Sequence, residues 1–408
     1  MFRPALRVCV LLLAASGFLP APEASARPVN YVRTEVVSPI PSNPVASGTR
    51  LRRALADITG PSASDPWLIK IEPGIYDLDG ASLVMRKYVD IEGSGEGVTI
   101  VQSTVNSIGT VQGAAHAELR FVTVLNFGAT DGIALANSAS GFTASHVTCL
   151  ARNGSNSSTA LANFGSASGT YRDVTLRAEG SRVVTAASMR GGLLLRARAF
   201  ASGDEFAYGL FNASSEGETI DLTVEASGAG YATAIRNEAG APLLRNVRTS
   251  SRGANLSEGI VNGGGSAARI QGAVIDVSGG TSFASGIRNE FSSALVSDAV
   301  ITVDAPSSAF GVSSSFSGTP AFRNLTLRVT AGGHGVGVRS YGTQVTVESS
   351  TISTDGFSLV NEFGATTPTA IRVGASRLEG AVDPADGTLR CVATYDASFT
   401  LLGATCTP

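Results

Sequence analysis

Apolar and polar positions alternate along this chain in short runs, and the runs recur in register. Val174 and Leu176, Leu222 and Val224, Ala273 and Ile275, Ala299 and Ile301, and Leu325 and Leu327 are one such set. Thr175, Thr223, Val274, Val300 and Thr326 fall between them. Period-two alternation is the pattern of a strand with one buried face. A polar residue stands ahead of the run at His146, Asp173, Arg196, Asp221, Asn246, Asp298, Asn324 and Ser349, with Gly272 in the gap. Phe121 opens this series and Ala375 ends it, at spacings of 23 to 27 residues. These positions are read as a series of turn-forming residues.

A second series interlocks with the first. It comprises Ala134-Leu-Ala-Asn137, Ala160-Leu-Ala-Asn163, Gly209-Leu-Phe-Asn212, Ala234-Ile-Arg-Asn237, Gly259-Ile-Val-Asn262, Gly286-Ile-Arg-Asn289 and Ser358-Leu-Val-Asn361. Ser188, Ser314 and Ser340 fill its gaps, so the spacings are 26, 25, 24, 25, 25, 27, 25, 26 and 21 residues. A repeat of this length is one supersecondary unit that buries its apolar face only by stacking on its neighbours. A coil of about 25 residues holds two or three short strands, each pairing in parallel with its copy about 4.8 Å away. The expected fold is all-β, a right-handed parallel β-helix of about 10–12 coils. The recurring Asn is expected at a sharp turn, where it tolerates left-handed geometry and bonds locally, and stacked Asn side chains would bond to each other along the axis.

The ends read differently. Arg3 and Arg7, the apolar run 8–19 and Ala24-Ser25-Ala26 make a secretory signal peptide over 1–26, too short to span a membrane. No other apolar run reaches spanning length, so the mature chain is expected outside the cytoplasm: extracellular, cell-surface or periplasmic. Residues 27–63 are an N-terminal arm and capping helix. The stretch 37–45 is extended, and Leu51, Ala54, Leu55 and Ile58 share one face of a helix over 49–58 ended by Gly60. Residues 64–380 form the β-helix, and 381–408 a C-terminal cap pinned by a Cys391–Cys406 disulfide, which export permits. Of the 4 cysteines, Cys9 leaves with the leader, and Cys149 occupies an inward strand position as a small hydrophobe.

A net charge of −3, from 30 basic and 33 acidic residues, leaves no electrostatic footprint for nucleic acid. With 3 histidines and no dense acidic cluster, neither a metal nor a cofactor is expected. Five N-x-S/T sequons occur, at Asn153, Asn156, Asn212, Asn255 and Asn324, and the repeat gives Asn212 and Asn324 structural places.

The Asn series resembles the pectin-lyase-like superfamily of right-handed β-helices, which carry asparagine ladders. Ile69-Lys-Ile-Glu-Pro-Gly-Ile-Tyr76, Tyr88-Val-Asp-Ile-Glu-Gly-Ser-Gly95 and Val98-Thr-Ile-Val101 look like the first coil of pectinesterase-like proteins. The resemblance implies a helix plugging the N-terminal end. It also implies polysaccharide chemistry, and here the signatures fail. The pectinesterase-like Gln-Asp-Thr-Leu, Asp-Phe-Ile-Phe-Gly and Leu-Gly-Arg-Pro-Trp are absent. So are the Asp-Asp and Asn-Thr-Asp of polygalacturonase-like enzymes, although Gly333-His334-Gly335 is present; Arg269-Ile270-Gln271 lies upstream of it and lacks the Lys. The acidic turns Asp173, Asp221 and Asp298 are too interrupted for the Ca²⁺ site of a lyase. No catalytic residue is assigned.

One surface pattern remains. The third tetrapeptide residue faces outward and is Arg236, Arg288 and Arg339 at every second coil, about 9.6 Å apart, close to a disaccharide repeat. Arginine forks suit carboxylates and sulfates, so these three are candidate glycan-binding residues for an acidic polysaccharide. Glu238 and Glu290 follow two of the ladder Asn residues and can pair with them instead. Two functional readings stand: a non-catalytic exported or surface β-helix that binds polysaccharide, and a polysaccharide lyase, hydrolase or pectinesterase-like enzyme with an unrecognised site on an outer face. Passenger use by a surface-export system is a third, without a visible membrane barrel.

Overall fold

The computed structural model describes residues 30–165, 168–180, 182–362, 369–383 and 387–408. The leader assigned to 1–26 lies outside them. The chain divides into Met1–Asn30 and Tyr31–Pro408, and the second unit carries every element below. It is an all-β parallel solenoid of about 12 turns with 4% helix, as the repeat predicts. Among the described residues no helix is long and apolar enough to cross a membrane.

Each strand hydrogen-bonds in parallel to its copy one coil on. Thr170–Arg172 pairs with Leu193–Leu195, Thr175–Glu179 with Arg198–Gly203, and Val183–Met189 with Phe206–Ser215. The inward residues stack into one core, from Leu51 near one end to Cys406 at the other. Cys149 lies inside it, fully buried, and burial pushes its thiol pKa up, so it stays protonated and inert.

Two columns of stacked side chains hold the coils in register. The first is the predicted polar series. Phe121, His146, Asp173, Arg196, Asp221, Asn246, Asp298, Asn324, Ser349 and Ala375 all have φ between 48° and 57°, and Gly272 has 69°. Left-handed geometry costs an L-residue about 1–2 kcal/mol, and neighbours in the column help to offset it. Arg196 makes two hydrogen bonds of 2.7 Å to Asp173, Asn246 donates to Asp221 at 3.1 Å, and Asn324 donates to Asp298 at 2.7 Å. Phe121 and His146 stack at 5.0 Å.

The second column is the Asn ladder, and it does not occupy the left-handed turns expected of it. Asn212, Asn237, Asn262 and Asn289 lie inside the strands Phe206–Ser215, Tyr231–Gly240, Leu256–Gly263 and Phe283–Glu290, none with positive φ, so the ladder amides bond along the sheet from extended backbone. Asn212, Asn237, Asn262 and Asn289 each donate from Nδ2 to the next rung, at 2.8, 2.8 and 2.9 Å, and then at 3.1 Å to Ser314. Asn137 donates to Asn163 at 2.9 Å in a separate run. The gap between the runs is filled by Met189, which pairs in register with Asn163 and Asn212; Ser188 sits in the outward column one residue earlier. The expectation at Ser188 is thus off by one, because register follows the buried neighbours and not the polar character of the occupant. The tetrapeptide's small first residue also has a cause: a Cβ on Gly259 would meet Ile275 Cγ2 at 2.3 Å and the Gly286 carbonyl at 2.5 Å.

Helix α1 (Pro44–Asp57) starts earlier than the sequence pattern suggests. Asn43 caps it by accepting from the Ala46 N–H at 3.0 Å, and Pro44 is pre-set for the first turn. Leu51, Ala54, Leu55 and Ile58 are buried, as their common face predicts. At the other end, Thr388–Val392 and Tyr395–Asp396 still pair in parallel with the preceding coil. The tail after them folds back: Cys391 N–H donates to the Ala404 carbonyl at 2.9 Å, and Leu402 N–H to that of Thr394 at 2.8 Å. The Cys391–Cys406 disulfide, with Cα atoms 5.0 Å apart, pins that tail over the edge.

Replacing Asn262 with Ala removes one ladder donor and one acceptor and leaves two buried amides short of a partner. Each stranded group costs about 1–3 kcal/mol, so Asn262→Ala is expected to lower stability in chemical denaturation by about 2 kcal/mol or more. A loss below about 0.5 kcal/mol, inside the range of an ordinary surface substitution, would remove the ladder as a stabilising device.

Candidate functional site

Six successive strands present one outer face: β1 (Phe206–Ser215), β2 (Tyr231–Gly240), β3 (Leu256–Gly263), β4 (Phe283–Glu290), β5 (Ser308–Ser315) and β6 (His334–Tyr341). The outward tetrapeptide column reads Phe211, Arg236, Val261, Arg288, Ser313, Arg339 in paired register. Arg236, Arg288 and Arg339 therefore share one face, on alternate rungs.

None of the three is free. Arg236 donates from Nε to Glu238 at 2.7 Å. Arg339 donates from Nε to Glu362 at 3.2 Å. Arg288 lies between two carboxylates, with Nε 2.7 Å from Glu258 and Nη1 3.3 Å from Glu290. The Arg288–Glu258 contact is an ion pair without an aligned hydrogen bond, so charge attraction holds it. The arginine side chains keep 27%, 21% and 32% of their surface exposed, in chain order.

Glu258 is the residue that sequence reasoning missed. It occupies an outward column that reads Tyr208, Thr233, Glu258, Ser285, Phe310. Its side chain is only 2% exposed. Thr233 Oγ1 donates to it at 3.0 Å, and the Ser285 Oγ beside it is buried without a hydrogen-bond partner. Burial raises the Glu258 pKa and Arg288 opposes the rise, but burial prevails and the carboxyl holds its proton above the usual range. The Tyr208 phenol is likewise pushed up by burial. The only clue in the sequence is an acid in a column otherwise of hydroxyl or aromatic residues.

Aromatic rings interleave with the charges. Arg288 lies 5.8 Å from the Phe283 centroid, and Arg339 lies 5.3 Å from Phe310 and 5.9 Å from Tyr341. Phe206 stacks on Tyr231 at 5.0 Å. From Tyr208 to Phe310 is four rungs, about 19 Å at the parallel spacing. The face is thus a row of guanidinium–carboxylate pairs flanked by rings.

The other sequence candidates fall elsewhere. His334 opens β6 and packs on Phe357 at 5.7 Å. Arg269 lies on a different strand of its coil, Arg269–Gly279. His146 keeps its turn place, 4.0 Å from Asp173, and His116 stacks on Tyr88 at 5.2 Å. Asp173 is held below the usual carboxylate range by its hydrogen bond from Arg196. Among the described residues no group of three or more His, Cys, Asp or Glu could hold a metal. A second charged cluster fastens the N-terminal arm: Tyr31 donates to Asp90 at 2.7 Å, and Arg120 binds Glu92, Glu118 and the Tyr31 oxygen at 2.9, 2.7 and 2.9 Å.

No protein-family model and no curated protein matches the chain. Among solved structures it is similar to the A-module of the Azotobacter vinelandii mannuronan C-5 epimerase AlgE6, at 14% identity over 86% of this chain and 95% of that chain, with a TM-score of 0.48. It is similar to tailspike protein 3 of bacteriophage CBA120, at 11% identity over 87% of this chain and 60% of that chain, TM-score 0.45. The carrot pectin methylesterase follows at 13% identity over 70% of this chain and 78% of that chain, TM-score 0.32. These neighbours are pectin-lyase-like right-handed β-helix proteins, and the present chain is a β-solenoid.

Glu258 binds its proton more tightly folded than unfolded. Its contribution is therefore greatest at low pH and is lost as pH rises through the folded pKa. Glu258→Gln keeps the shape of the protonated acid, so its stability relative to wild type should rise from about pH 4 to about pH 8 in parallel denaturation series. A pH-independent difference would mean that Glu258 titrates as it does in the unfolded chain.

Proposed function

We propose that this chain is an exported β-helix that binds polysaccharide along the face of β1 to β6 without cleaving it. The observation that carries this reading is the periodic row of Arg236, Arg288 and Arg339, each oriented by carboxylates and two of them lying over aromatic rings. A row that repeats every two rungs along the axis suits a polymer, since successive sugars meet the same chemistry. Guanidinium forks bond paired oxygens, and ring faces take the apolar face of a sugar. Export is supported by the composition of residues 1–26 and by the disulfide, which belongs to an oxidising compartment.

The non-catalytic half of the proposal rests on the carboxylates of this face, which are all engaged by arginines: Glu238 by Arg236, Glu258 and Glu290 by Arg288, and Glu362 by Arg339. Glycoside hydrolysis needs two carboxyl groups that reach the scissile bond from either side. Glu258 is sealed beneath Arg288 and is out of reach of a bound chain. A second reading, a polysaccharide-modifying enzyme, is favoured by the raised pKa of that same group, a property of general acids. It requires Arg288 to swing clear.

Incubation with pectin, alginate, chondroitin and neutral glucans separates the two. Retention on one or more of these glycans with no unsaturated or reducing-end product is expected; product release would establish the enzyme reading. Arg236→Ala, Arg288→Ala and Arg339→Ala combined should weaken retention about tenfold or more, from the loss of charge-assisted hydrogen bonds. Undiminished retention would move the binding site off this face.

A further inference from the structure

Building on the glycan-binding reading, we infer that this face selects a neutral, hydroxyl-rich polysaccharide and rejects polyanionic ones. The argument starts from charge. Three guanidiniums, Arg236, Arg288 and Arg339, face three exposed carboxylates, Glu238, Glu290 and Glu362, with the acid Glu258 buried beside them, so the row carries no positive surplus. Each arginine is already compensated within its own or a neighbouring rung. A uronate or sulfate chain would have to break these ion pairs or lie against Glu238, Glu290 and Glu362, whose side chains are 40%, 32% and 35% exposed. Either course is unfavourable, because like charges repel and a displaced carboxylate loses its partner.

A neutral sugar meets no such conflict. A guanidinium only donates and a carboxylate only accepts. A hydroxyl does both. Two neighbouring hydroxyls of one pyranose can therefore accept from the free edge of the guanidinium and donate to its carboxylate partner, leaving the ion pair intact. The aromatic rings support the same ligand class. Phe283, Phe310 and Tyr341 lie beside the arginines, where the apolar face of an uncharged sugar loses little on leaving water. The alternation sets the axis of the ligand. Arg–Glu pairs recur every second rung, about 9.6 Å, with Val261 and Ser313 between them, so the chain runs along the solenoid, across the strands.

The buried Glu258 deepens the contrast. It is the one carboxylate of the row that no ligand touches, and it binds the inner edge of Arg288. It fixes that guanidinium while Glu290 shares the outer side. A polyanion that drew Arg288 outward would leave Glu258 buried without its cation.

The test uses the full mature chain with xyloglucan, galactomannan and dextran as neutral probes, and with polygalacturonate, alginate and heparin as polyanions. Affinities are measured by calorimetry at low and high salt. At least one neutral probe is expected to bind with an affinity that changes less than about threefold with salt, and every polyanion about tenfold or more weaker. Tighter polyanion binding that falls steeply with salt would overturn this inference and leave glycan binding standing. Binding of none of the six would overturn the glycan-binding reading and the inference together. A Glu238→Gln, Glu290→Gln, Glu362→Gln chain supplies a second readout. It should lose about tenfold or more in neutral-probe affinity and gain polyanion binding. Unchanged neutral binding would overturn the inference. Should the triple variant fail to fold, Glu238→Gln alone carries the same comparison.

Discussion

The described strands pair in parallel with strands one coil away, and the register of that pairing governs all else. A parallel ladder fixes which side chain lies over which. A slip of one residue would turn every inward apolar group to solvent. The two columns of stacked side chains guard against such a slip. One does so with left-handed turns whose polar side chains clasp each other. The other does so with a run of amides, Asn212 to Asn289, each donating to the next rung. Both work by contact between identical positions in successive coils, which is why they show as a period in the chain.

The same stacking makes a surface chemistry possible. A side chain that appears once is an isolated feature, but one that recurs in an outward column becomes a row. Arg236, Arg288 and Arg339 become a row because β2, β4 and β6 carry them at the same position. The carboxylates that hold them come from three kinds of place: two residues on along the same strand at Glu238 and Glu290, one coil before at Glu258, and one coil after at Glu362. Fixed arginines lose little side-chain freedom when a ligand arrives, which is the usual benefit of preorganisation.

The architecture was legible in the sequence because it is periodic. The alternating strands, the turn series and the Asn ladder all repeat and show as periods in the chain. The left-handed backbone falls at the turn series and not at the Asn ladder, because a residue's tolerance of a conformation does not say where the chain adopts it. Failures fall where the period has an exception. Met189 was passed over for Ser188, since serine resembles asparagine chemically and methionine does not. The start of α1 was missed because Asn43 and Pro44 signal a helix by capping and not by apolar spacing. Glu238 and Glu290 could be linked to their arginines by adjacency along the chain. Glu258 could not, for its partner lies thirty residues away on the next coil and its burial arises from side chains folding over it. A linear pattern shows which residues share a column; it does not show which long side chain leans across to cover a neighbour.

The arginine row has one more property, and it concerns length. The structural repeat is one coil, yet Arg–Glu pairs come on every second coil. In the proposed glycan-binding reading, the unit of recognition is a doublet. A β-helix can gain or lose coils with little strain, because each touches only its neighbours. Removal of a single coil from within β1 to β6 would leave the core intact and throw the arginines on either side out of phase. Loss of two would keep the phase and merely shorten the row. In that reading, parity of coil number, and not coil number itself, is what a lengthening or shortening of the chain has to conserve.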